Sequence, residues 1–222
     1  MKYRAILFDM DGTVLDTLTD LNSAVNHTLR VFGFPEVTRE KTAHDLGNGS
    51  RRLAQLSLPE GHSGKTLEEF LAVYLPYYGA HANDTTAPYP GILALMERLH
   101  AAGLRQAIIS NKPHSAVKTL AEVHFPGLLA CAVGENEAGG IRRKPQPDMV
   151  LACARELGLD PAECLYVGDT EVDIQTAENA GMDCASVLWG FRSARELTDA
   201  GASVLFATPE ELGDYILNYT EI

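Results

Sequence analysis

Short apolar runs recur along the chain and predict the strands of a parallel sheet. The first run covers residues 4–8, and similar runs follow at residues 105–109, 128–133, 165–167, 184–188 and 203–206. Helical patterns lie between them, at residues 92–102, 115–124, 148–157, 172–180 and 209–217. Strands without a polar face are typical of parallel sheets that helices cover on both sides. The pattern therefore predicts an α/β fold of this kind.

Residues 18–87 interrupt this alternation and show helical periodicity instead. Their apolar side chains recur at helical spacing in two stretches, at Leu21, Val25, Leu29 and Phe32 and at Leu67, Phe70, Leu71 and Tyr74. We predict no strand in this region, and the glycine- and proline-rich segment 87–91 returns the chain to the sheet. The pattern predicts two domains, a core of residues 1–17 and 88–222 and an inserted all-helical domain of residues 18–87.

The chain is acidic, and its charge limits the partners that it can bind. Its 222 residues carry 18 Lys and Arg against 30 Asp and Glu, a net charge of −12 with neutral histidines. Such a chain is a poor candidate for nonspecific binding to nucleic acid or to an anionic membrane surface. We expect neither as a partner. An anionic substrate would need a metal ion or locally placed cations.

The N-terminal apolar run is too short for a secretion signal, because it reaches Asp9 after five residues. No apolar stretch approaches the ~20 residues that a membrane span needs. None of the four cysteines belongs to a C-x-x-C pair, so we expect small buried side chains in a reducing compartment rather than zinc ligands or disulfides. These features predict a soluble, cytoplasmic protein.

Polar residues follow four of the predicted strands. They are Asp9-Met10-Asp11-Gly12-Thr13 after the first, Ser110-Asn111 after the second, Lys144-Pro145 beyond the third and Gly168-Asp169-Thr170-Glu171-Val172-Asp173 at the fourth. Right-handed crossovers place the carboxyl ends of parallel strands at one edge of the sheet, where open α/β sheets bind their ligands. The sequence therefore predicts one site at this edge.

Phosphoryl transfer uses groups of these kinds. A carboxylate can attack phosphorus and form an aspartyl-phosphate, while a second acid protonates the leaving oxygen and then activates water. Mg²⁺ prefers oxygen ligands and binds a few carboxylates together with phosphate oxygens. A lysine adds positive charge beside the transferring group, and donors such as Ser110 and Asn111 can hold its oxygens.

The same residues resemble the four motifs of the haloacid dehalogenase-like hydrolases, in the family's order and over most of the chain. Residues 8–17 resemble the first motif, Ser110-Asn111 the second, Lys144-Pro145 the third and residues 168–173 the fourth. The resemblance implies a Rossmann-like core with a helical cap.

The resemblance also implies roles for individual residues. Asp9 would be the nucleophile and a metal ligand, and Asp11 the general acid and base, binding the metal through its backbone carbonyl. Asp169 would be a further Mg²⁺ ligand, with Asp173 supporting the metal shell. Ser110 and the catalytic Lys144 would hold the phosphoryl group.

Further substrate contacts are predicted in and near the cap. Gly47-Asn48-Gly49, with Arg51 and Arg52, resembles the cap loop of phosphoglycolate phosphatases, and Gly181-Met182 also fits that subgroup. Asn111 and Thr17 would contact substrate as well. A mobile cap of this kind admits a small substrate and then excludes water.

Most of these residues also have a structural alternative. Asp173 could cap a helix, Thr17 could do the same, and Ser110-Asn111 could form a turn. Lys144 could be a surface lysine after Arg142 and Arg143, and residues 47–49 could be a plain loop between helices.

We predict a Mg²⁺-dependent phosphatase acting on a small phosphorylated metabolite, with phosphoglycolate as the leading candidate, in a monomer or homodimer. One alternative is a phosphosugar mutase, but mutases of this family resemble a pattern with histidine where this chain has Leu21. A dehalogenase would need no metal, so Asp11 and the Asp169 loop would lack a purpose. A phosphonatase is disfavoured because Asp11 stands where that branch has a small residue. A catalytically silent binding protein is the alternative from another class, and it is disfavoured because every expected reactive group is present.

Overall fold

The computed structural model describes residues 2–62, 64–136 and 139–218, so small parts of both predicted domains (1, 63, 137–138 and 219–222) lie outside the described residues. Its strands are β1 Ala5–Phe8, β2 Leu15–Asp16, β3 Ala87–Pro88, β4 Arg105–Pro113, β5 Cys131–Glu135, β6 Cys164–Gly168, β7 Asp183–Val187 and β8 Leu205–Phe206. Six of them form a sheet in the order β5-β4-β1-β6-β7-β8. Every pairing in this sheet is parallel, which confirms the predicted fold class.

The helices are α1 Leu18–Val31, α2 Arg39–Asp45, α3 Gly49–Ser57, α4 Lys65–His81, α5 Ile92–Ala101, α6 His114–His124, α7 Asp148–Glu156, α8 Glu171–Ala180, α9 Ala194–Asp199 and α10 Pro209–Asn218. Helices α5, α6 and α10 pack on one face of the sheet, and α7 and α8 pack on the other. The sequence of the central strand β1 is apolar throughout because both of its faces are buried. Ile6 and Phe8 join the first of these cores, while Ala5 and Leu7 join the second.

Two predicted strand boundaries differ from the structure. The strand expected at 128–133 is Cys131–Glu135, because Leu128 and Leu129 pack against the core from the preceding loop. The strand expected at 105–109 continues to Pro113 through polar residues that are buried, a combination that hydrophobic patterning does not detect.

Helices α1, α3 and α4 share a hydrophobic core of their own, which includes Leu29, Leu53, Phe70 and Tyr74. The two connections to the sheet domain are joined by the antiparallel pair β2–β3, with Leu15 opposite Pro88 and Asp16 opposite Ala87. This pair was not predicted, since two residues on each side are too few to show a period. The separate core supports our proposal that residues 18–87 form a cap domain on a core of residues 1–17 and 88–222.

The order of the strands locates the ligand-binding edge. The chain leaves β1 for β4 and β5 on one side and later fills β6, β7 and β8 on the other. Strand order thus reverses beside β1, and open α/β sheets bind ligands beyond the carboxyl ends of the strands at such a point. Among the residues described, no helix combines the length and the apolar character that crossing a membrane requires.

The four cysteines are free thiols. Cys153 and Cys164 are buried, and Cys131 and Cys184 are half-buried. The sulfur atoms of Cys131 and Cys153 lie 2.8 Å apart between β5 and α7.

Candidate active site

The loop after β1 begins at Asp9, which is 5% exposed. The Asp9 amide donates to Val167 O in β6 (2.8 Å), and its carboxylate accepts from the Met10 amide (2.7 Å). Gly12 has a φ of +83°, and a Cβ there would lie 2.3 Å from Asp169 Oδ2. Glycine is therefore required for the two loops to approach this closely.

Lys144 lies beside Asp9, although it comes from the segment beyond β5. Its Nζ is 2.8 Å from Asp9 Oδ1, 2.8 Å from Asp173 Oδ1 and 3.0 Å from the Tyr166 hydroxyl. Burial lowers the pKa of Lys144, but the charges of Asp173 and Asp9 outweigh this effect and hold it well above its usual value. The side chain is a buried, charged ammonium and not a surface lysine.

Asp9, Asp169 and Asp173 form a buried acidic group, each offering one carboxylate oxygen within 4.8 Å of the others. Asp169 accepts hydrogen bonds from the Thr13 hydroxyl and the Phe191 amide, both 2.8 Å long. Burial, with the nearby charge of Asp173, raises the pKa of Asp169 to about 7. Burial also raises the pKa of Asp9 well above its ordinary value, although Lys144 opposes this. Three buried carboxylates beside a single ammonium, Lys144, fit a hard divalent cation such as Mg²⁺.

Asp173 has a structural contact as well as its place in this group. Its Oδ2 accepts from the Thr170 amide (3.1 Å) and the Thr170 hydroxyl (2.7 Å), which forms a capping box at the start of α8. Its Oδ1 faces Lys144. Helix capping and the acidic group therefore share one carboxylate.

Asp11 lies apart from the three buried carboxylates and has two partners of its own. The Thr17 hydroxyl donates to Asp11 Oδ1 over 2.6 Å, and Lys112 Nζ lies 2.9 Å from the same oxygen. Thr17 precedes α1 but makes no side-chain cap there, so its hydroxyl serves Asp11. Lys112 was missed by the sequence analysis. The signal that could have found it is its place directly after Ser110-Asn111, at the end of the same run.

Asn111 joins three segments at this edge. Its amide nitrogen donates to Gly47 O and to Lys144 O, each over 3.0 Å, and its carbonyl oxygen accepts from the Lys144 amide over 2.8 Å. The Ser110 hydroxyl is buried and accepts from the Lys112 amide over 3.2 Å. Asn111 thereby fixes the segment that carries Lys144 against the cap loop.

A small cavity lies between the sheet edge and the cap helices. Its sheet side consists of Asp9, Asp11, Ser110, Asn111, Lys112 and Lys144, and its cap side includes Leu21, Gly47, Gly49, Ser50, Tyr74 and Tyr78. The cavity has a volume of about 40 Å³, enough to admit water. A cavity of this size suits a small ligand.

Some of the predicted cap-loop residues line this cavity and others do not. Gly47 and Gly49 line it, while Asn48 lies between them at the start of α3 and is not among the described lining residues. Arg51 and Arg52 are exposed; Arg51 pairs with Glu68 and Arg52 donates to Gln55.

Comparison with known proteins agrees with this geometry. Residues 6–187 match the family model described as haloacid dehalogenase-like hydrolase. The phosphoglycolate phosphatase of Aquifex aeolicus is 33% identical over 189 residues, which are 85% of this chain and 86% of the relative. The N-acetylmuramic acid 6-phosphate phosphatase of Pseudomonas aeruginosa is 28% identical over 225 residues, 97% of this chain and 96% of the relative. The crystal structure of a candidate phosphoglycolate phosphatase from Lactobacillus delbrueckii subsp. bulgaricus superposes with a TM-score of 0.91 at 41% identity, covering 97% of this chain and 99% of that one.

Proposed function

The chain belongs to the haloacid dehalogenase-like hydrolases, and we propose that it hydrolyses a small phosphomonoester through a covalent intermediate at Asp9. Its family and its relatives make it a phosphoric monoester hydrolase. The nucleophile, the metal ion and the substrate are our proposals. The observation that carries them is the buried group of Asp9, Lys144 and the neighbouring carboxylates at the floor of a cavity.

Asp9 is the proposed nucleophile. A carboxylate oxygen of Asp9 attacks phosphorus while the bond from phosphorus to the ester oxygen breaks, and Asp11 gives its proton to the leaving alkoxide. Asp11 then takes a proton from water, whose oxygen attacks the same phosphorus. The acyl-phosphate bond breaks, so that inorganic phosphate leaves and the Asp9 carboxylate is restored. Thr17 holds Asp11 in place for both proton transfers.

Asp9, Asp169 and Asp173 are the proposed side-chain ligands of Mg²⁺, joined by the backbone carbonyl of Asp11. When bound, Mg²⁺ would neutralise charge on the phosphoryl oxygens and so reduce repulsion between an anionic nucleophile and an anionic substrate. Lys144 contributes a second positive charge at the same place, and the Ser110 hydroxyl contributes a hydrogen-bond donor. Asn111 positions Lys144 through the two hydrogen bonds between them.

The cap is proposed to close over the bound substrate. Leu21, Tyr74 and Tyr78 from its helices form one wall of the cavity, and such a wall keeps bulk water from the reacting phosphorus. The cap loop, with Gly47, Asn48 and Gly49, is the proposed contact to the leaving group.

Phosphoglycolate is the proposed substrate. Relatives with that activity in their names support it. Another relative is named for N-acetylmuramic acid 6-phosphate, so the substrate differs within the family, and we propose that cap side chains determine it.

A phosphosugar mutase is the alternative in the same family, and Leu21 weighs against it. The resemblance puts a histidine of the mutases at this position, and here an apolar side chain, 4% exposed, lines the cavity. Leucine has no proton to exchange. The alternative of a silent binding protein has no structural observation in its favour.

The proposal is tested by steady-state hydrolysis of a panel of phosphorylated metabolites, with Mg²⁺ and with EDTA. We expect the highest kcat/KM for phosphoglycolate and loss of activity in EDTA. Acid quenching during turnover, followed by peptide mapping, should find phosphate on Asp9. Phosphate on another residue would contradict the assignment of Asp9 as the nucleophile, and full activity in EDTA would contradict the proposed metal requirement.

A further inference from the structure

Lys112 is a buried cation that the proposed chemistry does not use. Its side chain is 3% exposed, although lysine is almost never this buried without a strong reason. The ammonium contacts Asp11 Oδ1 at 2.9 Å and donates to the Tyr78 hydroxyl. It also lies 4.6 Å from the centre of the Tyr78 ring. An ammonium has three hydrogens, and these contacts occupy two of them.

Tyr74 is a second residue with a polar group that lines the same cavity. It is 1% exposed, and its hydroxyl has no hydrogen-bond partner among the described residues. Buried tyrosine hydroxyls usually have a partner. Tyr74 and Tyr78 lie one turn apart on α4 and their rings are parallel, with centroids 5.7 Å apart and an interplanar angle of 3°.

The Tyr74 hydroxyl lies within the electrostatic influence of the Lys112–Asp11 pair. Burial raises the pKa of Tyr74, while the charge of Lys112 lowers it and that of Asp11 raises it. Lys112 and Tyr74 both line this cavity, and the third ammonium hydrogen and the Tyr74 hydroxyl are hydrogen-bond donors without a partner among the described residues. Elsewhere the cap side of this cavity is largely apolar, with Leu21, Leu46 and Leu53.

We propose that Lys112 and Tyr74 form a subsite for a carboxylate that the substrate carries a few atoms from its phosphoryl group. Two donors that line one cavity match the two oxygens of a carboxylate, and a buried ammonium favours an anion over a neutral group. The small cavity limits the distance between the two anionic groups of the ligand. This inference rests on the proposed function, because it takes Asp9 as the place of the phosphoryl group, and it assigns the selectivity for a phosphorylated acid to two side chains.

A pair of nonhydrolysable phosphonates tests the subsite by binding alone. 3-Phosphonopropionate carries a carboxylate where propylphosphonate carries a methyl group, and titration calorimetry of the full chain with Mg²⁺ gives both affinities. We expect the wild type to prefer 3-phosphonopropionate. Lys112→Met should reduce this preference about 10- to 100-fold, the range for losing a hydrogen bond to a charged group, and Tyr74→Phe about 3- to 10-fold, the range for losing an ordinary hydrogen bond.

Matched controls are Lys118→Met, an exposed lysine on α6, and Tyr77→Phe, which lies on α4 but does not line the cavity. Both should keep the wild-type preference. Equal affinity of the wild type for the two phosphonates would overturn the subsite. So would a Lys112→Met variant that weakens both ligands equally, because Lys112 would then act only by positioning Asp11.

Failure of the proposed function has a different signature. A protein that hydrolyses phosphomonoesters but shows no preference between the two phosphonates keeps its function and loses the subsite. A protein that prefers 3-phosphonopropionate, loses that preference in both variants and hydrolyses no ester keeps the subsite and loses the proposed function. Tyr74→Phe is the variant that folding defects affect least, since its hydroxyl makes no hydrogen bond to the described residues.

Discussion

Lys144 and Asp9 form a buried ion pair, with 2.8 Å between Nζ and Oδ1. The lysine is 2% exposed and the aspartate 5% exposed. The two residues come from distant parts of the chain, because Lys144 lies in the segment beyond β5 and Asp9 lies at the end of β1. This ammonium also contacts Asp173, so it is the cation that offsets two carboxylates removed from water.

Replacing Lys144 should damage both stability and activity. Lys144→Met leaves Asp9 and Asp173 without their cation, and breaking a buried ion pair costs about 3–5 kcal/mol. We expect a lower free energy of unfolding and a kcat reduced about 100-fold or more, from the loss of positive charge at the phosphoryl group. Urea unfolding and steady-state kinetics measure the two effects. Lys118→Met is the control, and a Lys144→Met enzyme with wild-type kcat would contradict the proposed role.

Asp9→Asn should remove activity while keeping the fold. The amide has nearly the shape of the carboxylate but cannot act as the nucleophile, so we expect kcat to fall at least about 1,000-fold. The near-UV circular dichroism spectrum should match that of the wild type. Turnover within tenfold of the wild-type value would show that another group attacks phosphorus.

Much of this arrangement follows from the sequence because topology converts strand ends into a site. Asp9 and Asp169 each follow an apolar run, and a parallel sheet brings both runs to one edge. Their positions could be predicted without any contact being known. The roles assigned to them remain predictions that the experiments above test.

Other features could not be predicted because the same sequence pattern fits two different structural environments. Tyr74 and Tyr78 fit the apolar face of a helix, and periodicity does not tell that this face also borders a cavity. Lys112 reads as an exposed lysine before Pro113, since burial of a charge depends on partners such as Asp11 that lie far away in the chain. The contact of Asn111 with Gly47 likewise depends on how the cap sits over the sheet.

The stability of the metal-free protein should fall as the pH rises from about 4 to about 7. The pKa of Asp169 is about 7 in the fold against an ordinary value of 3.8, so between these values the folded chain holds a proton that the unfolded chain has lost. The stabilisation that this proton contributes is fully present below the unfolded pKa and is lost as the pH rises through the folded pKa. Mg²⁺ binds the ionised carboxylate, so its stabilising effect should grow over the same range.

Thermal unfolding between pH 4 and pH 8, in EDTA and in Mg²⁺, measures this effect. Asp169→Asn is the matched variant, because its neutral amide has no proton to lose. Its melting temperature in EDTA should change less with pH, and it should gain little from Mg²⁺. An equal response of the variant and the wild type to Mg²⁺ would place the metal elsewhere.

Thr17→Val should slow the reaction with little effect on the fold. The substitution keeps the shape of the side chain and removes the 2.6 Å hydrogen bond to Asp11, so Asp11 is less well placed to transfer its proton. We expect kcat to fall about 10-fold, since positioned acid–base catalysis contributes about 100- to 10,000-fold in total. The pH dependence of kcat should change as well. Thr119→Val, at an exposed position on α6, should leave both unchanged.

Asp20 anchors the return of the chain from the cap. It lies in the first turn of α1 and accepts hydrogen bonds from the amides and hydroxyls of both Thr85 and Thr86, just before β3. Burial raises the pKa of Asp20, but the hydrogen bonds from Thr85 and Thr86 outweigh it and hold the pKa below its usual value. The carboxylate therefore ties together the two connections between cap and core.

Asp20→Asn should destabilise the protein by roughly 2–3 kcal/mol at pH 7, because hydrogen bonds to a charged group stabilise a fold more than neutral ones do. The asparagine amide would also place an N–H donor opposite the donors of Thr85 and Thr86. A group with a lowered pKa stabilises the fold above its unfolded value and loses this effect as the pH falls through its folded value. The difference between variant and wild type should thus shrink below about pH 4. Urea unfolding at both pH values measures it, with the exposed Asp84→Asn as the control. A difference that is the same at pH 7 and pH 3 would show that the charge of Asp20 does not hold the two connections together.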